Sequence, residues 1–279
     1  MPNLNLDHET MLRLGAFLGV LAVVALWEFR APRRKLALPR RARWPANLGI
    51  VALNTVLVRL VLPVAVGLGA VAQAQGWGLL NAVTLPEWAR IVLAVVLLDL
   101  AIYLQHVVFH AVPALWRLHR MHHADLDIDV TTGARFHPIE ILLSAGLKLG
   151  VIAAIGAPAA AVLAFELLLN ATSMFNHGNV ALPISVDRAL RWLVVTPDMH
   201  RVHHSAIPAE TNSNFGFNLP WWDRLLGTYR AQPAAGHEDM TIGLSEFRDP
   251  REQRLDRMLL QPFQDVTDRY PIGRRSAST

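Results

Sequence analysis

Four long apolar segments limit what this 279-residue chain can fold into. They cover residues 11–29, 48–72, 88–110 and 139–176. About 20 apolar residues in a helix span the roughly 30 Å hydrocarbon core of a bilayer. Hydrophobic residues make up 53% of the chain and charged residues only 17%, an unusual combination for a soluble domain of this length. The sequence therefore predicts an all-α integral membrane protein.

The last apolar segment is interrupted at Gly156-Ala157-Pro158. Glycine and proline together favour a turn, so residues 139–176 are predicted to form a helical hairpin or two short crossings. Lys148 and Glu166 are each nine residues from Ala157, and a turn there would bring them level. We therefore expect these two side chains to pair.

Arg59 and Asp99 also lie inside apolar segments, where an isolated charge is costly. They are at comparable depths in consecutive helices, which predicts an ion pair between them. Asp99 could instead orient His106, but seven residues correspond to roughly 10 Å of helix rise. That distance is too long for a direct hydrogen bond, so pairing with Arg59 is favoured.

The densest positive stretch, residues 30–43, follows the first apolar segment. By the positive-inside rule it is expected to stay in the cytoplasm. Alternating crossings then place every histidine cluster on the cytoplasmic face, in a bacterial inner membrane. Nucleic-acid binding is not expected, because the basic residues are not interleaved with exposed aromatic residues on a polar face.

Three histidine clusters indicate the chemistry that this chain can perform. One is an HxxxH pattern and two are HxxHH patterns, comprising His106 and His110; His119, His122 and His123; and His200, His203 and His204. Residues i, i+3 and i+4 of a helix lie on one side of it, so each cluster aims its imidazoles into a small volume. The chain has no cysteine, which excludes iron–sulfur clusters and thiolate zinc sites. The clusters predict a site for two metal ions.

From residue 177 the chain becomes polar and rich in proline, which predicts short helices and loops that cap the site. Residues 221–226 are expected to dock at the membrane surface. The predicted units comprise an N-terminal tail with transmembrane helices, a first histidine-rich cytoplasmic segment, the hairpin, the cytoplasmic cap and a flexible tail, at residues 1–113, 114–138, 139–176, 177–263 and 264–279.

The order and spacing of these clusters resemble the fatty acid hydroxylase superfamily, whose bacterial members are often called sterol desaturase family proteins. Further segments match its pattern over roughly residues 97–230, whereas the N-terminal helices resemble it only in hydropathy. These segments are Arg135-Phe136-His137-Pro138-Ile139-Glu140, Asn176-His177-Gly178-Asn179, Thr196-Pro197-Asp198-Met199-His200, Asn214-Phe215-Gly216 and Trp222-Asp223-Arg224-Leu225-Leu226-Gly227-Thr228-Tyr229.

The resemblance implies a non-haem di-iron site that uses O2 and two electrons to oxidise a lipid C–H bond. It implies ten metal ligands: His106, His110, His119, His122, His123, His137, His177, His200, His203 and His204. His137 could instead cap a helix beside Pro138 or donate a supporting hydrogen bond. Five acids near the clusters are candidate acceptors for histidine N–H groups: Asp125, Asp127, Asp129, Glu140 and Asp198.

The expected partners are the bilayer, a lipid substrate and a separate electron-transfer protein of ferredoxin or cytochrome type with its reductase. Desaturation with the same site is an alternative reaction. A non-catalytic zinc-binding relative is a second alternative, because imidazole binds iron and zinc alike. A membrane haem protein is a third, although it needs single facing histidines rather than triplets.

Overall fold

The computed structural model describes residues 6–61, 65–266 and 269–272. Within these residues the protein is helical, and its only β structure is two isolated bridges. The all-α prediction is therefore confirmed. Five helical stretches are long and apolar enough to cross a membrane: His8–Arg30, Arg40–Asn81, Glu87–Ala111, Pro138–Ile155 and Ala159–Asn176. The predicted second apolar segment, 48–72, includes residues 62–64, which lie outside the described residues.

Five long helices and two shorter ones form a bundle. The long helices are α1 (Leu6–Arg30), α2 (Arg40–Val61), α4 (Glu87–Ala111), α6 (Pro138–Ile155) and α7 (Ala159–Asn176), and the shorter ones are α3 (Ala65–Gln75) and α5 (Pro113–His123). Both α3 and α4 pack against α6 and α7, while α1 packs against α7. Ala94 and Ala161 are fully buried at these contacts. Such small residues let helices pack closely, and close packing stabilises helix association in a bilayer, where the hydrophobic effect does not.

The predicted hairpin is formed by α6 and α7, which meet at Gly156. This residue has φ of 68° and ends α6 in the left-handed conformation that glycine adopts without strain. A Cβ there would lie 2.2 Å from the carbonyl oxygen of Trp77. The turn between the two helices therefore requires glycine for both its conformation and its contact with the loop after α3.

Of the two charge pairs predicted in the bundle, one is present. Lys148 pairs with Glu166, as expected, and Arg13 of α1 also reaches Glu166 at 2.5 Å. The predicted pairing of Arg59 with Asp99 is wrong. Asp99 instead accepts a hydrogen bond from the indole N–H of Trp222 at 2.8 Å, and Arg59 has an exposed side chain. An N–H from a distant segment thus binds one oxygen of a carboxylate that was expected to pair with a cation.

Short helices and loops form a cap at the C-terminal end of α4. The helices are α8 (Ile184–Leu190), α9 (Pro197–His203), α10 (Pro208–Thr211), α11 (Trp221–Leu225), α12 (Gly236–Asp239) and α13 (Leu255–Leu260). Four of them begin at or directly after proline, as the fixed proline φ favours at a helix start. Thr196 caps α9 by accepting the backbone N–H of Met199.

A buried ion network ties the cap to the start of α2. Arg43 donates to both carboxylate oxygens of Asp125 at 2.6 and 2.8 Å, and to Asp129 at 2.7 Å. Arg135 lies 3.8 Å from Asp125 and donates to Gln253 at 2.8 Å. The basic stretch 30–43 therefore lies on the same side of the bundle as the first HxxHH cluster.

The boundaries of the five predicted units stay a prediction. Tyr270, inside the segment predicted as a tail, is buried. Its ring stacks on Trp116 with centroids 5.6 Å apart. This residue therefore belongs to the core of the cap.

Candidate metal centre

Nine buried histidines converge in two groups at the junction of the bundle and the cap. The first group comprises His106, His110, His119, His123 and His203, and the second comprises His122, His177, His200 and His204. Within each group the candidate ligand atoms all lie within 4.8 Å of one another. These are the arrangements expected of two adjacent metal sites built from imidazole alone.

The histidines come from four places in the chain. The C-terminal half of α4 supplies the HxxxH pair, α5 supplies the first HxxHH cluster, and α9 with its C-cap supplies the second. His177 is the C-cap residue of α7. The centre therefore forms only when the bundle helices and the cap are assembled together.

The group that each histidine joins is consistent with its position around the helix. In the first HxxHH cluster, His119 and His123 share a group while His122 belongs to the other. A helix rotates about 100° per residue, so positions i and i+4 are 40° apart whereas i+3 and i+4 are 100° apart. The second cluster follows the same rule, with its first and last histidines in one group and His203 in the other. Each HxxHH cluster thus serves both groups.

Two side chains orient histidines of the first group. The Nδ1–H of His119 donates to Oε1 of Glu140 at 2.6 Å, and both residues are buried. The Nδ1–H of His110 donates to Oδ1 of Asn212 at 3.1 Å. Since Nδ1 carries the proton in both rings, Nε2 presents a lone pair to the centre.

Backbone carbonyls orient two further histidines of the first group. His106 donates from Nδ1 to Phe215 and His203 donates from Nδ1 to Ser213, each at 2.7 Å. A carbonyl oxygen can only accept, so these rings also have an unprotonated Nε2. The tautomer needed for metal binding is therefore fixed by the fold.

Two histidines of the second group are oriented in the same way, by backbone carbonyls. His122 donates from Nδ1 to the carbonyl oxygen of Arg135 at 3.1 Å, and His177 donates to that of Ser173 at 2.7 Å. No carboxylate of the described residues accepts a hydrogen bond from these two rings. The carbonyl of Arg135 belongs to a loop held by the buried ion network, and the carbonyl of Ser173 belongs to α7.

The Nε2 atoms meet at distances that suit ligands of a shared cation. Nε2 of His106 lies 3.0 Å from that of His119 and 3.1 Å from that of His203, although none of the three carries a proton. The bare Nε2 atoms of His122 and His177 are 3.1 Å apart. Facing lone pairs repel, but two nitrogens about 2.1 Å from one ion and at right angles are about 3.0 Å apart. The residues present therefore fit a bound metal ion in each group.

Burial keeps these imidazoles neutral. Removal from water lowers the pKa of His177 to about 4 and that of His119 to about 3. The pKa values of His122, His200 and His204 are also lowered, first by burial and then by neighbouring histidines. Neutral imidazole is the form that binds a divalent metal.

Aromatic side chains close the centre on the bundle side. The Phe217 ring lies 4.9 Å from that of His106 and 6.0 Å from that of His200, and so touches both groups. Phe136 stacks on His122 at 4.5 Å. Both phenylalanines also pack on the apolar core between α4, α6 and α7. They separate the histidines from that core.

Of the five acids considered as acceptors for histidine, Glu140 alone accepts from one of the nine. Asp125 and Asp129 bind Arg43, and Asp127 accepts the backbone N–H groups of Ala37 and Leu38 at 2.9 Å each. Asp125 and Asp129 lie close to a histidine cluster in sequence because they belong to the buried ion network, and they do not accept from the histidines. Asp198 pairs with Arg201 and Arg33 in that same part of the protein.

His137 lies outside both groups. Its Nδ1 accepts the backbone N–H of Ile139 at 3.2 Å and its Nε2–H donates to Leu259 at 3.3 Å, so it caps α6. Both ring nitrogens are thus engaged away from the centre. His8 and His237 also lie outside the groups.

Sequence reasoning did not find Asn212, Phe215 and Ser213 as supports for the first group. Phe215 was noted only as part of a motif, and no spacing rule connects these residues to particular histidines. Their role follows from the loop between α10 and α11, which passes beside α4.

Comparison with known proteins identifies the region that contains the centre. A family model described as fatty acid hydroxylase matches residues 91–228, which include all nine histidines. The chain is 32% identical to an ornithine lipid hydroxylase of Rhizobium tropici over 157 residues, 56% of this chain and 46% of that protein.

Two alkylglycerol monooxygenases are also similar. The protein of Xenopus tropicalis is 31% identical over 132 residues, which are 47% of this chain and 28% of that protein. The human protein is 28% identical over 148 residues, 53% of this chain and 31% of that protein. The matched region is less than half the length of each of these curated relatives. No solved structure matches the chain significantly.

Proposed function

Because the chain belongs to the fatty acid hydroxylase superfamily, we propose that it is a membrane-bound non-haem di-iron oxygenase that hydroxylates a lipid. One atom of O2 enters a C–H bond and the other leaves as water, with two electrons and two protons supplied. The observation that carries the proposal is the convergence of nine buried imidazoles, six of them oriented by hydrogen bonds from Nδ1, within the region that matches the family. The relatives are named for lipid substrates, an ornithine lipid and an alkylglycerol.

The proposed ligands are the two groups themselves. One ion is held by His106, His110, His119, His123 and His203, and the other by His122, His177, His200 and His204. When bound, iron at these positions supplies the activation of O2 that the reaction needs. His137 is not included, because both its nitrogens are engaged elsewhere.

The protein's own part in this reaction is orientation and exclusion of water. Glu140, Asn212 and four backbone carbonyls hold six of the imidazoles in one tautomer, so these ligands need little rearrangement to bind metal. The histidines are buried, which keeps bulk water from a reactive oxidant. Phe136 and Phe217 give the centre an apolar boundary that suits a hydrocarbon chain.

We propose a bacterial inner membrane as the location, with the centre on the cytoplasmic face. The basic stretch 30–43 packs beside the centre through Arg43, and positive segments of this kind stay in the cytoplasm. A lipid would enter from the apolar helices with its polar head at the boundary. Electrons would come from a separate protein of ferredoxin or cytochrome type, since the chain has no cysteine to hold an iron–sulfur cluster.

The test compares membrane lipids of cells that express the wild type or His203→Ala under oxygen-18 gas, with a donor and reductase supplied. We expect a lipid that carries one labelled oxygen only with the wild type. His8→Ala is the matched control, because His8 is exposed and outside both groups. It should leave the product unchanged.

Three other outcomes would redirect the proposal. A product that lacks two hydrogens and carries no label would identify a desaturase. Zinc without iron in protein from iron-replete cells would favour a non-catalytic relative. An iron-loaded, folded protein with no new lipid under these conditions would contradict oxidation of a membrane lipid.

A further inference from the structure

Two short segments of the cap expose an apolar surface that the metal centre does not use. They are residues 184–193, which include α8, and residues 221–226, which include α11; we call them together the lip. Several of its large side chains are mostly exposed: Ile184 at 77%, Leu193 at 66%, Leu225 at 73% and Leu226 at 56%. Exposed apolar patches of this kind mark binding surfaces for proteins or membranes.

The two segments of the lip form one surface. The indole N–H of Trp221 donates to the carbonyl oxygen of Trp192 at 2.8 Å. The Arg224 guanidinium lies 4.0 Å from the centroid of the Trp192 ring and donates to the Arg191 carbonyl at 3.1 Å. Trp192 itself is 59% exposed, so the joined segments present indole rings beside leucine side chains.

The acidic and basic side chains of the lip lie on different sides of it. Both of its carboxylates point inward: Asp187 accepts from Thr196 at 2.6 Å, and Asp223 accepts the backbone N–H of Phe215 at 2.8 Å. The charged side chains left toward solvent are arginines, with Arg188 exposed and Arg224 half-buried. An apolar surface with tryptophan and arginine at its border suits the boundary between acyl chains and lipid phosphates.

The position of the lip along α4 gives an independent argument. Trp222 of α11 donates to Asp99 at 2.8 Å, and the backbone N–H of Leu219 donates to the same oxygen at 3.3 Å. Asp99 precedes His106 by seven residues, about 10 Å along the helix. It therefore lies near the middle of α4, one of the helices suited to span the membrane. A segment bound to that level of a spanning helix lies beside the bilayer.

We propose that the lip is embedded in the bilayer leaflet nearest the metal centre. Ile184, Leu193, Leu225 and Leu226 contact acyl chains, while Arg188 and Arg224 face lipid phosphates. The cap is thus held by the membrane at a second place, besides its links to the spanning helices. This inference does not depend on the chemistry of the centre.

The native chain lacks cysteine, so single cysteines can report the surroundings of the lip without background labelling. The test uses Leu225→Cys with a nitroxide label, in the 279-residue chain in phosphatidylcholine–phosphatidylglycerol vesicles. Collision of the label with O2, which concentrates in lipid, is compared with collision with a water-soluble nickel chelate. Val92→Cys on the exposed apolar face of α4 is the lipid reference, and Glu238→Cys on the cap is the water reference.

We expect the ratio of O2 to nickel collisions at position 225 to approach that at 92 and to exceed that at 238 several-fold. A ratio equal to that at 238 would overturn the proposal, since the lip would then face water. Protection from both reagents would also overturn it, because another protein or a second copy would cover the surface. Leu225 is mostly exposed, so its replacement should not affect folding.

Discussion

The two histidine groups differ in what supports them. The first contains five histidines, two of them on the long helix α4, and one is oriented by the carboxylate of Glu140. The second contains four, and His122 rests on the carbonyl oxygen of Arg135, whose side chain belongs to the buried ion network of the cap. The first group therefore depends on α4, on the cap loop 212–215 and on a single acid, whereas the second depends on α7 and on a backbone segment held by the buried ion network.

Removal of both ions should have the largest effect and should act on the two groups alike. Without a cation, the bare Nε2 atoms at 3.0 to 3.1 Å repel. A ligand bound at a thousand times its Kd stabilises the folded state by about 4 kcal/mol. We expect chelation to lower the unfolding temperature and anaerobic addition of Fe(II) to restore it. If added metal leaves the unfolding temperature unchanged, neither group binds an ion tightly.

Loss of one histidine should distinguish the groups. His177→Ala leaves three ligands in the second group, whereas His110→Ala leaves four in the first. We expect the metal content to fall by one ion per chain for His177→Ala and by less for His110→Ala. Metal analysis of the purified variants measures this difference. Equal loss from both would show that the extra histidine of the first group contributes nothing to retention.

Glu140→Ala should weaken the first group selectively. Loss of the group that orients a metal-binding histidine typically costs about 10- to 100-fold in metal affinity. Competition with a chelator measures the affinity of each ion, and only one of the two should change. Glu140→Gln keeps an oxygen that can accept from His119 and should lose less. An equal loss at both ions would contradict the separate support of the two groups.

The smallest effect is expected from Gln253→Ala, on the second group. Gln253 is buried, accepts from Arg135 at 2.8 Å and donates to the carbonyl oxygen of Ala124 at 3.0 Å. Its loss leaves buried polar groups unsatisfied, at about 1–3 kcal/mol of folding free energy. Chemical denaturation measures that cost, and metal affinity of the second group should fall less than tenfold. The exposed Gln232→Ala is the control.

The helices and the histidine clusters could be predicted because their signals are local. Apolar length predicted the spanning helices, and Gly156 with Pro158 predicted the turn of the hairpin. The i, i+3, i+4 spacing brought the histidines to one region but did not indicate that each HxxHH cluster divides between two groups. That division depends on where α5 and α9 face each other, which is a property of the assembled protein.

The supports of the centre could not be predicted, because they come from residues distant in sequence. The carbonyl oxygens of Phe215 and Ser213 have no signature, since every residue has a carbonyl. Asp99 was assigned to a cation because only charged partners are visible in a sequence. Its partner is an indole N–H 123 residues away. Glu140 was one of five candidate acids, and only the fold selects it.

The division of each HxxHH cluster also sets the distance between the two metal positions. His122 and His123 are joined by one peptide bond and serve different groups, and so do His203 and His204. Two dipeptides therefore join the groups through the backbone, so that the spacing between the groups can change little except by rotation of the histidine side chains. When the bilayer bends the surrounding helices, the centre should shift as one rigid body with its internal spacing preserved.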